Sequence, residues 1–429
     1  MATRGIEAGK SAPALAHKYS EVRATTLRLT APLSAEDQML QSMPDASPVK
    51  WHLAHTTWFF ETFLLTPHAG NYQPCDPRFR QLFNSYYKRV GEHPLRGARG
   101  LMSRPSLDEV HAYRHSVDAA MLELIDEADD DVLALIELGL NHEQQHQELI
   151  VTDVKHALWC SPLRPSYLSR PIIPPGAAGE LHWRSFEGGV HEIGHTGSGF
   201  AFDNEGPRHQ VLLRPFRLAS RAVTSGEWLQ FMADDGYRRP EFWLSDGWDT
   251  VCAQQWDAPL YWERHEGSWW QYTMSGPRAV DASEPVCHVS YYEADAFARW
   301  AGARLPSEAE WEIAAARSPS WGAMLEDETF HPQAADDGNA LNDERAPALR
   351  QIFGDIWEWT ATPYVAYPGF RPAAGALGEY NGKFMCNQFV LRGGSCATPA
   401  SHIRVTYRNF FPPQARWQFS GVRLASDQD

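Results

Sequence analysis

The stretch that decides the fold runs from Asn141 to Glu148 and reads Asn-His-Glu-Gln-Gln-His-Gln-Glu. Its histidines, His142 and His146, lie four residues apart in a segment whose apolar spacing predicts a helix from Asp131 to about Trp159. Residues i and i+4 of a helix share one face, about 5–6 Å apart at Cβ, which suits two imidazoles that bind one transition metal. The spacing is equally compatible with two histidines of an ordinary core. A metal site requires a third ligand from another segment.

Three other segments have helical spacing, and together with the first they predict a four-helix bundle. Ser47 is expected to cap one of these helices with Pro48 in its first turn, and Ser106 with Glu109 forms a capping-box pattern at the start of another. Four-helix bundles build metal sites from side chains on facing helices. The three predicted segments are 14–42, Val49 to about Leu65, and Ser106 to about Asp126.

The third ligand is expected on the aromatic-rich helix that follows Pro48, where His52 and His55 are both candidates. An imidazole buried among aromatic rings requires a partner, and either a metal or a backbone carbonyl can provide one. The residues alone do not choose between the two histidines. A site of three histidines without a carboxylate suits zinc, iron or copper.

Composition limits the classes of function. The chain has 429 residues and a formal net charge of −16, which argues against binding of nucleic acid or of anionic membranes. It has no apolar run long enough to span a bilayer, and the first thirty residues lack the apolar core of a signal peptide. Its six cysteines form no Cys-x-x-Cys pair. We therefore expect a cytoplasmic protein that acts on small molecules.

The character of the sequence changes after a proline-rich stretch. We predict an α+β multidomain protein with a helical bundle over 1–165, a linker over 166–180, and a second domain over 181–429. The second domain has short β-like runs at 210–213, 390–392 and 421–424, with helices at 290–301 and after Pro306.

Two further groups of residues are candidates for function. Tyr86 and Tyr87 are either core aromatics or, beside a redox metal, phenols that donate a proton. The segment 404–419 mixes arginines with aromatic residues. It is either a structural loop or a substrate wall, with arginine for a carboxylate and aromatic faces for a quaternary ammonium.

The second domain has four ordered motifs: Gly302–Glu312, Gly354–Thr360, Arg392–Ser395 and Gly421–Ala425. Together they resemble the formylglycine-generating-enzyme/sulfatase-modifying fold, which is related to C-type lectins and poor in regular secondary structure. Formylglycine-generating enzymes use a pair of cysteines shortly after the third motif. Here Cys396 follows that motif at once and no later cysteine exists, so that chemistry is not expected.

A DinB-like bundle joined to this fold resembles the ergothioneine-type sulfoxide synthases, which are non-haem iron enzymes that use O2 to join a thiol to C2 of hercynine, the betaine of histidine. The family's iron motifs match Leu53–His55 and His142–His146. The resemblance therefore implies Fe(II) as the cofactor and selects His55 over His52. It further implies these substrate contacts: Gln145 and Asn409 for the betaine, Phe410 for its trimethylammonium group, and one or more of Arg404, Arg408 and Arg416.

The second substrate is open to more than one interpretation. Phe83–Tyr87 resembles the branch of the family whose paired tyrosines enter the active site, which gives Tyr86 or Tyr87 as the proton donor. Phe411 replaces an aspartate that helps to hold γ-glutamylcysteine in the other branch, so the resemblance implies free cysteine. The chain also resembles the selenoneine synthases, which couple a selenosugar to hercynine.

Two alternatives come from other classes: a lectin-like binding protein and a zinc-dependent DinB-like thiol transferase. The sequence does not indicate an oligomeric state.

Overall fold

The computed structural model of the protein describes residues 12–168, 176–197, 199–317, 319–335, 349–372 and 375–428. The chain divides into two compact units. The first unit consists of Met1–Cys160 with two distant segments, Gly197–Phe202 and Pro372–Tyr380, and the second contains the rest. Part of the predicted linker over 166–180, namely residues 169–175, lies outside the described residues. No helix in the described ranges has both the length and the apolarity needed to cross a bilayer.

Four long helices form the first unit, which confirms the predicted bundle. The helices of this unit are α1 (Ala12–Thr30), α2 (Val49–Phe60), α3 (Thr66–His68), α4 (Phe79–Leu82), α5 (Leu107–Glu127) and α6 (Asp130–Cys160), with 3-10 turns at Asp37–Met39, Arg96–Leu101 and Ala376–Glu379. α2 continues through a π-helical turn, Glu61–Leu65, into α3. α1 packs against α5 and α6, and α2 packs against the same two helices.

Two local predictions for the bundle are wrong. The first helix ends at Thr30 rather than near residue 42, because Pro32 disfavours helical backbone at the residue before it. Ser47 does not cap α2, which begins after Pro48 without a side-chain cap. The backbone N–H of Ser47 instead donates to Oδ2 of Asp153 at 2.8 Å.

The predicted capping box at the start of α5 is confirmed. The N–H of Ser106 donates to the carboxylate of Glu109 at 2.6 Å, and the N–H of Glu109 donates to Oγ of Ser106 at 3.2 Å. This pair satisfies two of the N–H groups that the first turn of a helix leaves without an intrahelical partner.

A buried carboxylate ties three of the bundle helices together. Glu143 of α6 accepts hydrogen bonds from Arg114 of α5 at 2.5 Å, from Arg23 of α1 at 2.8 Å and from Thr26 of α1 at 2.6 Å. Burial raises the pKa of Glu143, but Arg114 and Arg23 outweigh that effect and lower the pKa to about 2. The carboxylate is therefore ionised and fully paired, which makes the packing of these helices specific.

Gly139 lets α2 and α6 approach each other closely one turn before His142. A Cβ at this position would lie 2.6 Å from Cε1 of Phe60 and 3.2 Å from Cε1 of Phe59. Both phenylalanines are buried on α2. Because α2 and α6 carry the candidate ligands, this close approach sets the distance between them.

The second unit contains four helices and four small sheets in the described ranges. The strands are β1 (Trp183–Phe186), β2 (Gly189–Ile193), β3 (His209–Leu213), β4 (Phe216–Ala219), β5 (Trp262–His265), β6 (Ser268–Thr273), β7 (Gly276–Ala279), β8 (Trp357–Pro363), β9 (Phe389–Arg392), β10 (Asn409–Phe411), β11 (Ser420–Gly421) and β12 (Ala425–Asp427). The helices are α7 (Ser225–Ala233), α8 (Ser245–Gln254), α9 (Tyr291–Trp300) and α10 (Glu308–Arg317). Strand order in the four sheets is β1-β4-β12, β10-β9-β8-β11, β2-β3 and β5-β6-β7, and the β8–β11 pair is parallel.

The fold class and most predicted elements of this unit are confirmed. β3, β9 and the two predicted helices form where expected, and Ser290 with Glu293 makes a capping box at the start of α9. The run 421–424 is wrong as a continuous strand, because β11 ends at Gly421 and β12 begins at Ala425. The helices α7 and α8 were not among the predicted elements.

We expect Gly139→Ala to destabilise the protein by roughly 1–2 kcal/mol. Alanine in a helix gains up to about 1 kcal/mol over glycine, but insertion of a methyl group into a packed contact costs about 1–3 kcal/mol. Chemical denaturation followed by far-UV circular dichroism measures the difference. Phe60→Leu in the same chain should recover part of the loss, because it replaces the ring that the new methyl group contacts with a shorter side chain. Equal or greater stability of the single variant would contradict this account of the helix crossing.

Candidate metal centre

Three histidines of the first unit converge in the interior of the bundle. His55 of α2 faces His142 and His146 of α6, and one nitrogen from each lies within 4.8 Å of the other two. The centroids of the three rings are 4.7–5.1 Å apart. All three side chains are buried. The structure thus brings together the three residues that the family motifs imply, although His55 precedes His142 by 87 positions in the sequence.

The hydrogen bonds around these rings fit a metal. Nδ1 of His55 lies 2.6 Å from the carbonyl oxygen of Phe83, which can only accept, so Nδ1 carries the proton and Nε2 keeps its lone pair. Nδ1 of His142 is buried and has no hydrogen-bond partner among the described residues. Burial lowers the pKa of His142 to about 3. The pKa values of His55 and His146 lie well below the usual range, mainly because both rings are buried and secondly because His142 is close to them. Three neutral imidazoles are a donor set for zinc, iron or copper.

Aromatic rings enclose the centre. The indoles of Trp51 and Trp58 stack on the ring of His55, with centroids 4.5 and 5.2 Å away and interplanar angles of 11° and 18°. Phe59 packs against His142 with centroids 4.7 Å apart. These contacts hold the ligand rings in place and keep the surroundings of the centre apolar.

His52, the competing candidate, lies one layer outside the three histidines. Its Nδ1 is 2.7 Å from Nδ1 of His146, and its Nε2 is 3.0 Å from Oδ2 of Asp153. Both imidazole nitrogens are therefore occupied within the protein. The three-histidine group contains His55 and not His52, so the geometry makes His55 the candidate ligand, the residue that the resemblance selects.

The paired tyrosines take different positions. Tyr87 is fully buried and packs against Trp58 and Phe63, with ring centroids 5.7 and 5.2 Å away. Tyr86 stacks on Tyr87 with centroids 4.7 Å apart and is only half-buried. Burial raises the pKa of Tyr87 above 10, so its hydroxyl stays protonated at neutral pH. The contacts of Tyr87 are those of a core residue.

Sequence reasoning missed Tyr380, which belongs to the first unit although it lies far along the chain. Its ring is 5.8 Å from that of His142 at an interplanar angle of 79°, and 6.2 Å from that of Tyr86. Phe202, from the other distant segment of this unit, stacks on Tyr380 at 5.7 Å. The available signal was weak: Tyr380 lies in a loop with a glycine two residues to either side, and such loops often carry function.

The predicted substrate contacts are divided between the units. Gln145 is half-buried on α6 of the first unit. Asn409, Phe410 and Phe411 form β10 of the second unit, where Phe410 stacks on Tyr364 with centroids 4.0 Å apart. Their roles as substrate contacts stay predictions.

Each predicted substrate arginine is paired with a glutamate in the second unit. Arg408 is buried and makes two hydrogen bonds to Glu308, at 2.9 and 3.0 Å. Arg404 pairs with Glu205 through two nitrogens, one of them at 2.8 Å. Arg416 donates to Glu293 at 3.0 Å and lies over the ring of Trp256. As substrate contacts, Arg404, Arg408 and Arg416 stay predictions.

Comparisons with known proteins agree with this arrangement. Residues 18–150 match the profile of the DinB superfamily, and residues 185–428 match that of the sulfatase-modifying factor enzyme 1-like domain. The hercynine oxygenase of Mycolicibacterium thermoresistibile is 32% identical over 437 residues, which is 97% of this chain and 95% of that protein. The hercynine oxygenase of Mycobacterium tuberculosis is 32% identical over 96% of this chain and 98% of its own length.

A formylglycine-generating enzyme of Streptomyces coelicolor is 30% identical over 56% of this chain and 88% of its own length. The fold and the site therefore define a two-domain protein in which a DinB-type bundle with a candidate three-histidine centre precedes a formylglycine-generating-enzyme-like domain. The chain belongs to the hercynine oxygenase family and is an oxidoreductase. Membership over almost the whole chain favours this class over a lectin-like binding protein or a zinc-dependent thiol transferase.

We expect His142→Ala to abolish stoichiometric metal binding, because it removes one of the three ligand nitrogens. Metal that binds only the folded protein raises its stability, by about 2.7 kcal/mol at a concentration 100 times the dissociation constant. Fe(II) or Co(II) added without oxygen should therefore raise the melting temperature of the wild-type protein but not that of the variant. His115→Ala, on the exposed part of α5, is the matched control and should respond as the wild type does. Full metal binding by His142→Ala would refute the centre.

Proposed function

We propose that this protein catalyses O2-dependent formation of a C–S bond between C2 of hercynine and the sulfur of cysteine, with Fe(II) held by His55, His142 and His146. The observation that carries the proposal is the convergence of three neutral imidazoles in the bundle of a chain that matches hercynine oxygenases over almost its full length. Three protein ligands leave further coordination positions of an octahedral ion for substrates.

The proposed reaction balances with O2 as the sole oxidant. Hercynine contributes the hydrogen on C2 and cysteine contributes its thiol hydrogen. The C–H and S–H bonds break, a C–S bond forms, one oxygen atom adds to sulfur, and the other leaves as water. O2 accepts four electrons, two from the coupling and two from the oxidation of sulfur, so the product is a hercynyl-cysteine sulfoxide.

The side chains of this protein have three tasks in that reaction. The imidazoles hold the iron, which supplies activation of O2 when it is bound. The rings of Trp51 and Trp58 exclude water on the side of His55. A phenol supplies the proton that directs oxidation toward the sulfoxide, and the position of Tyr380 against His142 supports Tyr380 as that donor, with Tyr86 beside it.

The proposed contacts to hercynine and cysteine rest on the family motifs. Gln145 and Asn409 provide amide groups, and an aromatic face such as that of Phe410 attracts a trimethylammonium group. Phe411 packs against Trp417 with ring centroids 5.7 Å apart and offers no charge for the additional carboxylate of γ-glutamylcysteine. Free cysteine is therefore the proposed donor, and a selenosugar is the alternative that the resemblance keeps open.

A turnover experiment tests the proposal directly. The iron-loaded protein is mixed with hercynine, O2 and one donor at a time: cysteine, γ-glutamylcysteine or a selenosugar. Mass spectrometry of the products and an oxygen electrode measure the outcome. We expect the hercynyl-cysteine sulfoxide with one O2 consumed per product. Coupling with the selenosugar alone would replace the proposed donor, and absence of coupling with every donor would refute the reaction class.

We expect Tyr380→Phe to shift turnover from the sulfoxide toward cysteine sulfinic acid, because loss of the phenolic proton leaves both oxygen atoms of O2 to add to sulfur. The ratio of the two products, measured by mass spectrometry, reports this change separately from the overall rate. Tyr86→Phe tests the neighbouring phenol in the same way. Tyr87→Phe tests the other phenol of the predicted pair. Tyr19→Phe, which removes a hydrogen bond to Asp118, is the control and should leave the ratio unchanged. A wild-type ratio in Tyr380→Phe would remove this residue from the mechanism.

A further inference from the structure

A second layer of polar residues connects one ligand histidine to a buried carboxylate. Nδ1 of His146 lies 2.7 Å from Nδ1 of His52, and Nε2 of His52 lies 3.0 Å from Oδ2 of Asp153. All three side chains are at least nine-tenths buried. The result is a series of two hydrogen bonds that ends at the ligand. Nothing in the proposed reaction requires it, so its presence calls for a separate explanation.

Helical spacing places this series beside the centre. His52 precedes His55 by three residues on α2, and Asp153 follows His146 by seven residues, or two turns, on α6. Each of the two helices thus contributes ligands and, on the same face, one residue of the outer layer. The carboxylate that ends the series also accepts a hydrogen bond from the backbone N–H of Ser47, which lies 2.8 Å from the same Oδ2.

The position of each proton in the series follows from its end. A carboxylate that accepts the N–H of Ser47 is an acceptor for His52 as well, so Nε2 of His52 carries a proton. A single proton lies between the two Nδ1 atoms. If His52 supplied it, His146 would carry its own proton on Nε2 and could not bind a metal there. If His146 supplies it, the lone pair of its Nε2 is available.

We propose that His52 and Asp153 are positioning residues that hold His146 in the tautomer with a proton on Nδ1 and a lone pair on Nε2 for the metal. The inference rests on the three-histidine centre of the proposed function and deepens it. A carboxylate commonly orients a metal-bound histidine directly. Here a second imidazole is inserted between them, because Asp153 is two turns away from its ligand.

The other two ligands are oriented differently. His55 donates from Nδ1 to the carbonyl oxygen of Phe83, whereas Nδ1 of His142 has no partner among the described residues. Loss of the outer layer should therefore affect the contribution of His146 and leave the hydrogen bond of His55 in place. The expected effect is weaker and altered metal binding rather than its complete loss.

The test uses Co(II) alone, without substrates, so that it does not depend on turnover. Removal of an outer partner typically weakens metal binding by about 10–100-fold. We expect His52→Ala and Asp153→Ala to raise the dissociation constant of Co(II) within that range and to change its visible absorption spectrum. Because the two residues act in series, the double variant should bind no more weakly than His52→Ala.

Two conservative variants and one control complete the design. His52→Asn offers an amide oxygen near the former Nδ1 and should recover part of the affinity lost in His52→Ala. Asp153→Asn keeps an acceptor and should lose less than Asp153→Ala. Tyr19→Phe removes a hydrogen bond of 2.7 Å to Asp118 elsewhere in the bundle and should not alter the spectrum. Circular dichroism of the metal-free proteins identifies any variant that does not fold, and the conservative pair then decides the question.

Wild-type affinity and spectrum in folded His52→Ala and Asp153→Ala would overturn the inference. Additive losses in the double variant would also overturn it, since independent effects do not describe residues in series. Failure of the wild-type protein to bind Co(II) or Fe(II) would instead refute the metal centre itself. The two failures are therefore distinguishable.

Discussion

The burial of four imidazoles between α2 and α6 is the constraint on which the rest of the first unit depends. A polar group taken out of water without a partner costs several kcal/mol on some scales and about 1–3 kcal/mol in proteins. The partners found for these rings lie in other segments: the carbonyl of Phe83 for His55, and Asp153 through His52 for His146. One nitrogen from each of His55, His142 and His146 lies within 4.8 Å of the other two, which makes these three residues the candidate metal centre.

Two neighbouring faces of α6 have different roles. Along α6, His142 and His146 point to the candidate centre, while Glu143 and Gln147 point to α1. The charge of Glu143 lies between two arginines and holds α1, α5 and α6 in one arrangement. The polar residues in this stretch therefore fix the helix through a second face, beside the one that carries the candidate ligands, and this limits the movement of the ligand rings.

The second unit uses ion pairs in a comparable way. Arg408 and Arg404 are each held by a buried glutamate, so arginines that resemble substrate contacts in the sequence also stabilise loops with little regular structure. Small sheets of two to four strands cannot supply all the backbone hydrogen bonds of such a domain, and charged side chains satisfy many of the remaining carbonyls. An arginine of this segment therefore stabilises the domain whether or not it also contacts a substrate.

The sequence by itself determined the features that depend on neighbouring residues. Helical periodicity predicts the bundle and the i, i+4 pair His142 and His146, and the Ser106–Glu109 pattern predicts the capping box that begins α5. The residues alone left His52 and His55 equivalent, because both lie on one helix among aromatic rings. The family motifs select His55, and the tertiary structure brings it to His142 and His146. The contact of Ser47 with Asp153 and the approach of Tyr380 to His142 are visible only in the tertiary structure. These outcomes depend on which distant group meets each buried polar atom, and packing between segments, unlike helical spacing, is not written in any local stretch of the chain.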